Sequence, residues 1–205
     1  MSVQSTITLK HDLPNPGKEI GVNHLFNNNT YVYHFNMIQR QMPKETNPAE
    51  VGWAAFNVSF KDMLMGVALR DLQAYFEFNI TKEEHDKIYA FFKSNQPPNQ
   101  QTTPQIETQL NEVTDNYIKK ELIFQYMATH WKIDITDEQV TNSLHDFYKK
   151  TNQSIKKYFD DKQEFEKIRK QLITQKVFDR ILNLYDFKFN LKFNLANPTP
   201  EQKTS

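Results

Sequence analysis

The sequence predicts an all-α protein: an elongated, multi-lobed set of helical hairpins, or arms, arranged around a groove. Three observations carry that prediction. Apolar side chains recur at helical spacing over three long stretches, near residues 48–78, 104–131 and 161–185. Well-formed helix starts punctuate the chain between them. A corner between a long helix and a shorter one occurs twice, at Ile80–Thr81 and at Ile135–Thr136, 55 residues apart.

Residues 1–47 are expected to be an irregular segment packing on the helical body. Pro14, Pro16, Gly17, Gly21 and the run Asn27-Asn28-Asn29 are turn formers. Thr6–Leu9 and Tyr31–Met37 read as short extended stretches, the second because Tyr33, Phe35 and Met37 alternate with polar residues.

The first helical arm is expected over 48–96. Asn47 is an N-cap, Pro48 suits the first helical position, and Glu50 lies in the first turn. Trp53, Phe56, Phe60, Leu64, Val67 and Leu72 then mark one face, to about Phe78. Thr81 and Glu84 have the spacing of a capping box opening a second helix through Ile88, Tyr89, Phe91 and Phe92. The Pro97-Pro98 region breaks the pattern before Thr103-Pro104 starts the next helix.

A second unit is expected over 97–186. Its long helix carries Ile106, Leu110, Val113, Tyr117, Phe124 and Trp131 on one face. At 1.5 Å per residue a helix of about 25 residues is about 38 Å long, which favours an elongated body. Thr136 and Gln139 form a second capping-box pattern, with Ile135 and Val140 placed for a hydrophobic staple. Leu144, Phe147 and Tyr148 continue that helix, Ser154–Phe159 is a short turn of helix, and Asp160-Asp161 caps a last long helix through Phe165, Ile168, Leu172, Val177, Ile181 and Leu184. Residues 187–205 are expected to be an extended tail. Phe187 to Leu195 alternates strictly, as a strand would, either pairing with 31–37 or lying across the helices, and the Pro198–Pro200 end is expected to be disordered.

Composition bounds the function. The 25 basic and 25 acidic residues cancel, which disfavours nucleic acid as a partner. Cysteine is absent, which excludes disulfides, thiolate zinc sites and thiol catalysis. No stretch approaches the roughly 18 apolar residues of a membrane span. The opening residues carry no leader pattern, so a cytoplasmic location is expected. Heavy use of Asn, Lys and Phe fits an AT-rich genome. The six histidines form no i, i+4 pair. No phosphate-cradling glycine loop or nucleophile elbow occurs. Glu83-Glu84 and Asp160-Asp161 sit at helix starts, where capping explains them better than acid–base work. Neither an enzyme nor a cofactor is expected.

The 16 Phe and 9 Tyr are the strongest binding signal. Most such rings belong in a core, but an elongated helical body leaves some uncovered. Phe56, Phe60, Met63, Val67, Phe91, Phe92, Phe147, Tyr148 and Phe159 are the expected peptide-binding groove. Lys149-Lys150 and Lys156-Lys157 form a small basic cluster, read first as a solvated face.

The stretch from Ile133 to about Asp186 resembles the C-terminal, substrate-cradling domain of trigger factor, and more loosely the core of the SurA chaperone. The resemblance rests on the corner Ile133–Val140, the helix Leu144–Tyr148, and the later Ile168-Arg169, Lys176-Val177 and Ile181-Leu182. It covers about a quarter of the chain closely and residues 48–186 in outline. It implies an ATP-independent chaperone that holds unfolded or nascent polypeptide. Trigger factor's ribosome-docking loop and prolyl-isomerase domain have no counterpart here, so neither activity is expected. The alternatives are an adaptor that binds one folded partner and, less favoured, an RNA-associated protein.

Overall fold

A computed structural model describes residues 4–43, 45–96 and 103–190. Among them are seven helices: α1 (Asn28–Gln41), α2 (Pro48–Gln73), α3 (Lys82–Ser94), α4 (Pro104–His130), α5 (Asp137–Thr151), α6 (Lys156–Asp160) and α7 (Lys162–Leu182). Four short strands accompany them: β1 (Thr6–Leu9), β2 (Lys18–Val22), β3 (Phe76–Asn79) and β4 (Tyr185–Phe189). The protein is thus mostly helical, as expected.

The core lies where the C-terminal parts of the three long helices meet. Met65, Leu69 and Leu72 of α2, Ile123, Phe124 and Met127 of α4, and Val177 and Ile181 of α7 are buried together with Phe76 and Tyr185. Each long helix carries a shorter helical partner: α1 on α2, α3 on α4, and α5 and α6 on α7. The expected pairing of the two helices within 48–96 is replaced by this arrangement, because the apolar face of α3 is taken by α4. A second, smaller core, Ile135, Val140 and Leu144 with Tyr158, Phe165, Ile168 and Leu172, holds α5 to α7.

The N-terminal segment differs from its expectation. Residues 28–41 are a helix, not an irregular or extended stretch. Asn27 caps it, its Oδ1 accepting from the Thr30 amide at 2.9 Å, so the asparagine run starts a helix rather than a turn. His34 is buried, and Tyr31, Phe35 and Ile38 are half-buried. That is a helical stripe. Tyr33 and Met37, which suggested a strand face, are exposed.

The strands tie this segment to the ends of the long helices. β1 pairs antiparallel with β3, Leu9 opposite Phe76, and β2 pairs parallel with β4, Val22 opposite Phe189. The tail strand therefore pairs with 18–22 and not with 31–37, and its expected continuation over 191–195, like the Pro198–Pro200 end, lies outside the described residues. α2 stops at Gln73, earlier than periodicity predicts, because Phe76-Glu77-Phe78 alternates and β1 offers it a ladder. α7 likewise ends at Leu182 rather than near 185, where β4 begins.

The two capped corners are not equivalent. At Thr136 the capping box is complete: its Oγ1 accepts from the Gln139 amide at 3.3 Å, and the Gln139 side chain accepts from the Thr136 amide at 3.2 Å. At Thr81 the box is opened by Ser5. The Thr81 amide donates to Ser5 Oγ at 2.9 Å, and Glu84 accepts from the Ser5 amide at 3.2 Å. Thr81 Oγ1 still accepts from the Glu84 amide at 3.4 Å, while Ser5, just before β1, stands between the other two partners of the box.

α4 ends in a Schellman motif. The Ile133 amide donates to Ala128 O at 2.9 Å, and the Lys132 amide to Thr129 O at 3.0 Å. Lys132 fills the left-handed position, φ 50°, that glycine usually takes.

Candidate functional site

The first half of α2 turns an aromatic edge outward. Trp53, Phe56 and Phe60 follow one another at helical spacing, and the parallel rings stack: Trp53 on Phe56 with centroids 5.6 Å apart, Phe56 on Phe60 at 6.0 Å. Phe189, at the end of β4, continues the stack on Phe60 at 5.7 Å. Phe26, in the loop before α1, meets Phe56 edge-on at 5.4 Å. Three segments distant in sequence therefore build one ladder of rings. It is not sealed: Trp53 is 66% exposed, Phe189 44% and Phe56 39%. Such stacking adds about 0.5–1.5 kcal/mol per pair and holds the rings in register without covering them.

The α3–α4 pair carries a second apolar surface. Phe91 is 62% exposed, and Phe92 lies edge-on to Tyr117 at 5.6 Å. Burial pushes the Tyr117 phenol above its ordinary value, with the nearby Glu121 acting in the same direction.

A third surface lies at the far end of the α5–α6 pair. Tyr148 and Phe159 line one groove with His145 and Ile155. Phe147, on the other side of α5, lines a separate groove against Leu172 of α7.

The nine residues expected to form one groove thus fall on three helical pairs. Phe56 and Phe60 touch, as do Phe91 and Phe92, and Tyr148 shares a groove with Phe159. Met63 is half-buried beside the ladder's helix face. Val67 is the correction: it is buried, as are Met65, Ala68, Leu69 and Leu72 beside it in the second half of α2. Trp53 was legible only as a helix-face residue, and Phe189 and Phe26 gave no local signal, since their partners are far away in the chain.

Polar networks fix the elements that present these surfaces. Lys18 of β2, Asp71 and Tyr75 of the α2 end, and Tyr185 of β4 form one cluster, with Tyr185 Oη donating to Asp71 at 2.9 Å. Burial, with the Asp71 carboxylate, pushes the Tyr185 phenol strongly upward, and the same carboxylate raises Lys18. Arg169 of α7 reaches across to the α5 corner, donating to the Ile135 carbonyl and the Asp137 carboxylate while also pairing with Glu166. The Ile135 corner and the Ile168-Arg169 segment are therefore in direct contact.

Ser59, His34 and Asp62 come together between α1 and α2. His34 Nδ1 is 2.9 Å from Ser59 Oγ, and Nε2 is 3.2 Å from Asp62. The residue types are those of a hydrolase triad, but Ser59 has no exposed surface and its hydroxyl donates to Ala55 O at 2.8 Å. A nucleophile must reach its substrate. This trio docks α1 on α2.

No family model matches the chain. It is 33% identical over 141 residues, 69% of this chain and 70% of the other, to the uncharacterized MG377 homolog of Mycoplasma pneumoniae. It is 31% identical, over the same length and shares, to the uncharacterized MG377 protein of Mycoplasma genitalium. The crystal structure of the hypothetical Mycoplasma protein MPN555 superposes with a TM-score of 0.79 at 28% identity, covering 92% of each chain. The chain belongs to the family of the Mycoplasma MG377 proteins.

Proposed function

We propose that this member of the MG377 family is a nucleotide-independent chaperone that holds unfolded or nascent polypeptide on aromatic surfaces carried by its three helical pairs. In this reading the pairs are arms, and the space between them is the groove. The carrying observation is the ladder Trp53–Phe56–Phe60–Phe189, a row of stacked, partly exposed rings fixed on rigid elements. The resemblance of the α5–α7 region to the substrate-cradling domain of trigger factor points the same way.

The energetics suit holding rather than capture. Burying one large apolar side chain of a client contributes about 1.5–3 kcal/mol. Ordering each client residue costs about 1–2 kcal/mol of backbone entropy. The difference per residue is small, so several contacts are needed and release is fast. Rings recognise apolar character without demanding a sequence, and separate patches let different stretches of one client bind together.

The test is a refolding client followed by light scattering, with no nucleotide present. Equimolar protein should suppress scattering. Unchanged scattering would end the reading, and a single stoichiometric folded partner recovered from cells would favour an adaptor instead.

A further inference from the structure

We propose that the far end of the α5–α6 pair selects polypeptide segments in which aspartate or glutamate adjoins apolar residues. This inference rests on the polypeptide-holding reading above and names the class of segment that one of its surfaces prefers.

Two grooves flank the last turns of α5. One, of about 580 Å3, has Tyr148, Ile155 and Phe159 as apolar walls, and the side chains lining it include Lys156 but no carboxylate. Tyr148 and Phe159 are each 46% exposed. The other, of about 630 Å3, runs between α5 and α7 over Phe147 and Leu172, with Lys150 and Lys176 on its rim. Its lining carboxylate, Asp146, faces Lys149 at 3.5 Å.

Lys150, Lys156 and Lys176 enter no ion pair among the described residues, in contrast to Lys149, Lys167 and Lys188. Helix-dipole complementation accounts for Lys149 and Lys150, which lie in the last turn of α5. It does not account for Lys156, in the first turn of α6, or for Lys176, which lies before the last turn of α7. These exposed lysines line the same grooves as the apolar side chains, so at low salt their field reaches a segment seated there. An extended segment alternating apolar and acidic side chains would seat the former on the rings and the latter on the lysines. The balanced net charge disfavours nucleic acid, which would need many more cations.

The experiment measures fluorescence anisotropy of three labelled peptides on the full chain at low salt: one alternating phenylalanine and leucine with aspartate, one with asparagine in place of aspartate, and one with lysine. The aspartate peptide should bind about tenfold tighter than the asparagine peptide, and the lysine peptide weakest. The triple variant Lys150→Gln/Lys156→Gln/Lys176→Gln should lose that preference while still binding the asparagine peptide. Tyr148→Ala/Phe159→Ala should weaken the aspartate and asparagine peptides alike. Equal binding of those two peptides, a preference that survives in the triple variant, or displacement of the aspartate peptide by oligouridine would each overturn the inference. Equal binding together with suppressed aggregation sinks only this selectivity. No peptide binding together with unsuppressed aggregation sinks both readings.

Discussion

Lys18 Nζ sits 2.6 and 2.7 Å from the two carboxylate oxygens of Asp71, and this pair fastens the strand β2 to the end of α2. The contact joins residues 53 positions apart. Tyr75 and Tyr185 complete it, so one carboxylate organises α2, β2 and β4 at the point where the central core meets the sheet.

Removing that carboxylate leaves a lysine and the phenol of buried Tyr185 without their shared acceptor. Asp71→Ala is expected to cost about 2 kcal/mol, since unsatisfied groups are the larger part of such losses. For a chain of this size that lowers the Tm by about 4–8 °C, read by calorimetry. A fall no larger than a surface substitution gives would show the cluster to be energetically idle.

The same cluster sets a pH dependence. Tyr185 and Lys18 are both raised in the folded state, so the native chain holds these protons more tightly than the unfolded chain. Their contribution is fully present below the ordinary tyrosine and lysine values, near 10, and is lost as pH climbs above them. Stability should therefore drop on the alkaline side. Tyr185→Phe should flatten that drop, measured as urea midpoints between about pH 8 and 11. Identical alkaline slopes in the two proteins would contradict the assignment.

Arg169 bridges α7 to the α5 corner through Ile135 O and Asp137. Arg169→Ala should loosen the docking of α5 and lower the denaturation midpoint, and Arg169→Lys should recover little, because a single ammonium cannot span the same acceptors. Hydrogen exchange should rise at Val140 and Leu144 more than at Ile123 or Met127. Uniform acceleration throughout the chain would instead mean that α5 and the central core unfold together.

Lys132 occupies a left-handed position at the end of α4. Lys132→Gly should raise stability by about 1 kcal/mol, by removing the Cβ clash that costs other residues there. An unchanged or lower denaturation midpoint would show that the side chain of Lys132 offsets its backbone cost.

The aromatic ladder separates binding from stability. Trp53→Ala should abolish most aggregation suppression while costing only about 1 kcal/mol, since this ring is 66% exposed and stacks on Phe56 alone. Val67→Ala, in the buried part of the same helix, should show the reverse: about 2 kcal/mol of stability lost and suppression retained. Equal loss of suppression in both variants would remove the ladder from the binding role.

Helix starts and the long apolar faces were legible because their causes are local. Thr103, Thr136 and Asp161 cap with their own side chains, and α4 repeats at 3.6 residues over its whole length. Less was legible of the site. Phe56 and Phe60 are where the spacing places them, but Val67 on the same stripe is covered, because a stripe says which way a helix faces and not how far along it the partner extends. α1 was missed because its capping asparagines imitate a turn.

By itself the sequence determined the helical class, the capped corners and the absence of disulfide or thiolate chemistry, since each follows from short-range backbone preference or residue type. Only the tertiary structure decided which helix pairs with which, that β1 and β2 staple the ends of α2 and α7, and that Phe26, Trp53 and Phe189 share one surface. Those outcomes depend on contacts between residues tens to more than a hundred positions apart, where the burial available to the whole chain, and not the preference of any one segment, selects the arrangement.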